Sequence, residues 1–433
     1  MPRPARALAG AVTLALTGGA CAGAAATPAP LMVAVPSGVT TDAAPTFSFT
    51  ARGPARCRLD WEPWTDCASP YTALAPLTGP HVFGVRTARS APAFQGWTRA
   101  AACVPPYGAF GPGAWPPACW RPYSDASPFN RPLPARPRLA RGSAAMVQRV
   151  TGWGPPSPYS VGEQDTPNDF AHPTYWSRLS DPRFLVRCAG CEIDGLRIRI
   201  PVAARPAGGS DHHLAVVAQG NGREYDLWRA RLDLRRHVVH AEGGGRTRIG
   251  GSGLASGATA AGFGNLAGII RAQELASGEI DHALFMIVHC DGGRTVYPAR
   301  GRAFACSQEG RSNRAAPPLG ARFQLDMSDA EIGAVRLPAW KRAIYMAMAH
   351  YGMFAGDTGG GSSWSLQFES DSTYTSFGAD PLLLAFGQAN TGESDDTFRD
   401  EGDGRYTLQV DDPRIDWRKR LRVIAPCVSA ASC

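Results

Sequence analysis

The stretch Leu196-Arg197-Ile198-Arg199-Ile200 alternates apolar and charged side chains without a break. A strand sends successive side chains to opposite faces, so this pattern buries one face and wets the other. The same reading continues through His213-Leu214-Ala215-Val216-Val217 and, one short turn later, Arg223-Glu224-Tyr225-Asp226-Leu227-Trp228. Further strands are expected at 282–288, 322–326, 363–368 and 421–424. Helices are few. One short helix is expected near 271–276, and a longer one after Pro338, over 339–351, with Gly352 as its stop. Ser328-Asp329-Ala330-Glu331 has the form of a capping box for one more turn. Residues 241–264 are glycine-rich and read as turns. So many strands with so few helices between them argue against parallel βαβ winding. They favour a mainly β fold, a β-sandwich of jelly-roll or concanavalin-like type with a few short helices.

The chain has 433 residues, enough for two or three domains at roughly 100–200 residues each. Its 44% hydrophobic content supplies a core, and 49 Gly with 37 Pro supply turns, which excludes coiled-coil, collagen-like and wholly disordered chains. Residues 1–26 read as a signal peptide: Arg3 and Arg6 precede an apolar stretch, and Ala24-Ala25-Ala26 offers a cleavage site. A lipoprotein reading through Cys21 is less favoured, because Gly18 stands where a lipobox prefers Leu. The expected location is therefore outside the cytoplasm, extracellular or periplasmic. Loss of Arg3 and Arg6 takes the net charge from +7 to +5, and the arginines are scattered along the chain. No nucleic-acid partner follows from so mild an excess. No later apolar run reaches the roughly 20 residues of a membrane span, and a monomer that does not span the membrane is expected.

After removal of Cys21 ten cysteines remain, and they fall into neighbours: 57/67, 103/119, 188/191, 290/306 and 427/433. Adjacent pairing is the simplest disulfide framework for an exported chain. The lone Cys188-Ala-Gly-Cys191 lacks the second CxxC of a zinc ribbon and reads as a structural bridge. Domain organisation follows as a small all-β module at 27–100, a Pro/Gly-rich linker at 101–123 and the larger β-sandwich domain at 124–433.

Absent motifs narrow the chemistry. There is no G-x-S-x-G elbow and no H-E-x-x-H, and neither lysine of the chain, Lys341 or Lys419, follows the glycine of a phosphate loop. Gly262-Phe263-Gly264-Asn265-Leu266-Ala267 meets a dinucleotide fingerprint only in permissive form and follows no strand. What remains is a polar set at strand positions. Glu224, Asp226 and Trp228 share one strand face, opposite Tyr225 and Leu227. Two carboxylates beside an indole suit a sugar-binding cleft as well as a plain wet edge. His282, entering the apolar run Ala283-Leu284-Phe285, fits either a satisfied core histidine or a functional one. Tyr297 and Asp357 fall in segments read as loops. The acid-rich run Glu393–Asp403 lacks EF-hand spacing and reads as a solvated loop.

Two resemblances add to this reading. Cys57-Arg58-Leu59-Asp60, Trp64-Thr65-Asp66-Cys67-Ala68-Ser69-Pro70 and His81-Val82-Phe83-Gly84-Val85-Arg86 resemble the immunoglobulin-like repeats of secreted bacterial proteins, departing from them after Arg86. That likeness implies a spacer or adhesion module. The large domain resembles a group of secreted bacterial proteins without an assigned activity. The likeness rests on Ser127-Pro128-Phe129-Asn130, Asp211, His213, Tyr225-Asp226, Trp228, Ala260-Ala261-Gly262, Gly278, His282, Pro298-Ala299, Pro317-Pro318, Tyr351-Gly352-Met353 and Asp357. It implies a shared fold and ranks His213, Asp226 and His282 above Glu224.

The expected function is carbohydrate-active, a glycoside hydrolase or polysaccharide lyase acting on a polysaccharide or glycoconjugate. His213, Asp226, His282 and Asp357 are the catalytic candidates, and Asp211, Tyr225, Trp228 and Tyr297 the substrate-binding ones. No cofactor is expected. Two alternatives stand beside it. One is a metal-dependent hydrolase using two histidines and a carboxylate for a divalent ion. The other is a non-catalytic carbohydrate-binding or adhesion protein.

Overall fold

A computed structural model describes residues 28–35, 39–40, 44–60, 62–73, 79–99, 110, 116–163, 166–254, 258–359, 363–377, 382–390 and 398–433. The proposed signal peptide lies outside these residues, as do Cys103, most of the 101–115 stretch and residues 393–397 of the acidic run. Strands dominate and helices are short, so the chain is mainly β. Among the described residues no helix is long and apolar enough to cross a membrane.

Contacts divide the described residues into a smaller unit, residues 28–35, 47–60, 62–71 and 83–95, and a larger one that holds the rest. In the smaller unit Ala55–Leu59 pairs antiparallel with Thr65–Cys67 on one side and with residues 83–87 on the other. Inward residues of these strands are apolar. Phe47 stacks on Phe83 at 4.2 Å, and Cys57–Cys67 ties neighbouring strands.

Two four-stranded sheets of the larger unit lie face to face. The first has the order 174–177, 214–218, 223–228, 243–248, and the second 197–199, 183–187, 238–240, 231–233. Between them sits a core of Tyr175, Phe184, Val186, Ile198, Leu214, Val216, Tyr225, Leu227 and Val239. Alternation explains this directly: in 183–187 and 197–199 the apolar members Phe184, Val186 and Ile198 point in, and the arginines between them point out. The strand Leu214–Ala218 is buried throughout because its other face is covered too. There Trp176 and Val217 join Phe129, Phe263, Phe285 and Phe354 in a second core.

Beyond that core runs a five-stranded sheet in the order 365–366, 284–288, 353–358, 322–325, 421–424. The helices Ser143–Thr151, Ala272–Ser277 and Ala339–His350 bury their apolar sides against it in the largest core. The expected 339–351 helix and the Ser328 capping box, with the Ser328 hydroxyl accepting from the Glu331 N–H, are present. Helices at Ser143–Thr151 and Leu382–Asn390 were not expected. Among the described residues four parallel strand pairs occur within the sheets: 39–40 with 93–99, 174–177 with 214–218, 183–187 with 238–240, and 284–288 with 353–358. Disulfides join 188–191, 290–306 and 427–433 as neighbour pairing anticipates; Cys119 is also disulfide-bonded.

Candidate active site

Register determines what the first sheet presents on the face turned away from the second sheet. Ala215 lies opposite Asp226, and Val217 opposite Glu224, so one face carries Thr174, Trp176, Ala215, Val217, Glu224, Asp226 and Trp228. His172 and His213, just before their strands, continue it. Their rings lie 4.4 Å apart.

At the open end of this face a cleft of about 600 Å³ is lined by Asp211, His213 and Trp228, by Thr259 and Ala260, by Arg300 and Arg302, and by Asp357 and Thr358. Four residues singled out from sequence therefore meet here: Asp211, His213, Trp228 and Asp357. They arrive from two different sheets. Asp357 comes from the strand Met353–Thr358, where Ala355 faces Met286 and Asp357 faces Ile287, leaving Gly356 as a bulge. A bulge adds one residue to one strand and re-aims the side chains beyond it. A side chain at Gly356 would run into the ring of Phe285. On the opposite wall, the Gly301 backbone approaches the Ala260 carbonyl so closely that no Cβ fits, and this seats Arg300 and Arg302 at the rim.

Burial tunes the groups of the cleft. Removal from water lifts the Asp357 carboxyl from 3.8 to about 7, and the charge of Asp211 adds to the rise. The N–H of Thr358, donating to Oδ1 at 2.7 Å, and a backbone hydrogen bond with Ala260 oppose it only in part. Burial pushes His213 down to about 4, so its imidazole is neutral at pH 7. His172 is pushed well below 6.5 by burial and by His213 beside it. Trp228 donates its indole N–H to Asp211 Oδ1 at 3.0 Å, while the guanidinium of Arg229 stacks 4.6 Å over the ring. Trp228 thus orients a carboxylate and has one ring face covered. The cleft offers a carboxyl group that titrates near neutrality, a second carboxylate, a neutral imidazole and two exposed guanidinium groups.

The other sequence candidates lie elsewhere. Asp226 is fully buried and does not line the cleft; it shares a strand face with Glu224, which is also fully buried. Burial raises the Glu224 carboxyl above its ordinary range. Tyr123 donates to Glu224 Oε2 at 2.6 Å and the Leu266 N–H to Oε1 at 2.9 Å. Glu224 therefore fastens the 116–123 connector and the glycine-rich loop onto the sheet. Gly264 is required there, because a Cβ would strike the Tyr123 hydroxyl.

His282 is buried, with Nδ1 facing the Ala283 carbonyl and Nε2 facing Glu274 Oε1, both at 3.0 Å. Glu274 also pairs with Arg271, which donates to the carbonyls of Pro117, Ala118 and Trp120. No ring nitrogen of His282 is left for a cleft or a metal, so the two-histidine metal set is not assembled. Tyr225 faces the opposite core, its hydroxyl accepting from Asn221, and Tyr297 sits exposed in a loop without lining the cleft. His289, Cys290 and Glu309 do converge, but Cys290 is committed to its disulfide with Cys306. The residues that sequence reasoning missed are His172, Arg300 and Arg302. His172-Pro173 ahead of a strand and the glycine inside Arg300-Gly301-Arg302 were the available signals.

No family model, no curated protein and no solved structure matches the chain.

Proposed function

We propose that the chain is an exported carbohydrate-active enzyme that cleaves a polysaccharide in the cleft between Asp211 and Asp357. The observation that carries this reading is Asp357: a carboxyl on the wall of an open cleft, raised to about 7, beside a second carboxylate that is held by an indole N–H. Glycoside hydrolysis needs this asymmetry, with one carboxyl protonated to donate to the leaving oxygen and the other ionised to steady the oxocarbenium centre or to activate water. Asp357 is the acid and Asp211 the partner, in place of the Asp226 expected from sequence. Arg300 and Arg302 bind polar or anionic groups of the sugar, and the neutral His213 accepts a hydrogen bond from a hydroxyl.

A lyase is the second reading, favoured by the same neutral imidazole beside two guanidinium groups. His213 would take the proton α to a uronate carboxylate that the arginines neutralise. A glycan panel separates the two readings. Hydrolysis releases new reducing ends without ultraviolet absorbance, whereas elimination releases both. Binding without either product contradicts both and leaves the carbohydrate-binding alternative.

A further inference from the structure

The second sheet of the sandwich turns its outer face to solvent, and register gathers there arginines that lie far apart in sequence. Arg183 lies opposite Arg199, Leu185 opposite Arg197, and Arg187 opposite His240, which in turn faces Arg231. Phe184, Val186, Ile198 and Val239 point the other way, into the core. Strand spacing of about 4.8 Å and a rise of about 3.3 Å per residue make this face roughly 14 Å across and 13 Å long. Arginines that look scattered along the chain thus share one plane.

The face is not neutralised from within. Arg199 donates to the Asp181 carbonyl at 2.6 Å, and among the described residues Arg183, Arg187, Arg197 and Arg231 take part in no ion pair. Its one acid, Asp233, is taken up by Arg236 at 3.2 Å and by the N–H groups of Arg235 and Arg236. Like charges directly opposite across strands cost stability. A sheet that needed only a wet face would alternate charge or carry threonine. A second hollow, of about 610 Å³, adjoins the edge at Arg231 and His240 and is lined as well by His212 and by Arg229, which pairs with Glu242 at 2.9 Å.

We infer that this face is a docking surface for an acidic polysaccharide, bearing carboxylate or sulfate groups, separate from the cleft. Charge complementarity supplies the attraction, and the planar fork of each guanidinium matches a carboxylate or sulfate with two hydrogen bonds. Cross-strand neighbours sit about one sugar unit apart, so a chain lying across the strands meets one guanidinium or imidazole per unit. Single-stranded nucleic acid is less well served, because the face carries no Phe, Tyr or Trp on which successive bases could stack, only the single imidazole of His240. Duplex DNA finds no helix or ribbon to enter a groove, and a bilayer finds no apolar ridge to insert. Docking here depends on the register of this sheet alone and holds whatever chemistry the cleft performs.

The test uses the full mature chain and immobilised polygalacturonate and heparin, with neutral dextran, duplex DNA and phosphatidylglycerol vesicles as comparators. The protein is expected to bind one or both acidic polysaccharides, more weakly as salt rises, and dextran not at all. Combined replacement Arg183→Gln, Arg187→Gln, Arg197→Gln and Arg231→Gln should weaken binding at least tenfold with the melting temperature unchanged or raised. Single Arg187→Glu and Arg231→Glu variants give the same readout should the combined variant fold poorly. The same four-arginine variant should keep native turnover in the cleft on a short oligosaccharide from the glycan panel, which separates this surface from the cleft. Equal binding by the arginine variants, equal binding of dextran, no binding of either acidic polymer, or preference for DNA or vesicles would each overturn the inference.

Discussion

Replacing Glu369 by Gln should make the protein resist denaturation better in mild alkali than the native chain does. Glu369 is buried beside Asp371 and Glu274, accepts the Ala272 N–H at 3.1 Å, and is lifted by burial from 4.5 to about 8. In the folded state it keeps its proton up to about pH 8, whereas in the unfolded chain it loses it above 4.5. Its contribution to stability is thus whole below pH 4.5 and is lost as pH rises through 8, at about 1.36 kcal/mol per pH unit. Over pH 5 to 8 this amounts to about 4 kcal/mol. Gln keeps the shape and the neutral state but cannot ionise. Urea unfolding at pH 5, 6, 7 and 8 should therefore show the variant gaining on the native chain by about 4 kcal/mol across the window. Asp357 and Asp371, raised to about 7 and about 6, add to the fall in the native chain, while His213, lowered to about 4, opposes it below 6.5. Asp357 and His213 act in both proteins and cancel in the difference, while Asp371 is relieved of the Glu369 charge in the variant, which adds to the variant's gain. A variant-minus-native difference that stays flat from pH 5 to 8 refutes the reasoning.

Other expectations are independent of it. Tyr123→Phe removes a donor from the buried Glu224 carboxyl and should cost about 1–3 kcal/mol in urea unfolding. His282→Gln breaks the tie to Glu274 and should lower stability by a similar amount, about 1–3 kcal/mol, while turnover per folded molecule, measured below the melting transition, stays within about twofold. Loss of selective turnover there would return His282 to the catalytic set. Cys290→Ala with Cys306→Ala opens a loop of sequence separation 16 and should cost about 3 kcal/mol; the 188/191 bridge, at separation 3, should cost about half as much.

Much of the fold was legible because local patterns and tertiary burial agree. Alternation in 196–200 and 223–228 marks strands whose two faces differ in environment, and the Ser328 box marks a true helix start. The neighbour pairing of 57/67, 188/191, 290/306 and 427/433 holds. The expected 363–368 strand shrinks to Ser365–Leu366, since Trp364 and Phe368 bridge singly to other segments. The site was half legible. Asp211, His213, Trp228 and Asp357 meet in the cleft because each stands at a strand end or a bulge, where side chains face open space. Asp226 and Glu224 look the same in sequence, yet a glycine-rich loop from 40 residues downstream covers them, which no local pattern reveals. His282 likewise betrays nothing of Glu274, which caps a helix two turns earlier. The arginine face escaped notice for a simpler reason. Strand order, not chain order, brings 183, 197 and 231 together.

The proposal stands most directly on the pH dependence of product release by the cleft, once the glycan panel has supplied a substrate. With Asp357 as proton donor, kcat should fall tenfold per pH unit above about 7, and Asp357→Asn should lose 10²–10⁴-fold in kcat with a melting temperature unchanged or raised. A rate that shows no break near pH 7, or an Asp357→Asn enzyme that turns over normally, would contradict it.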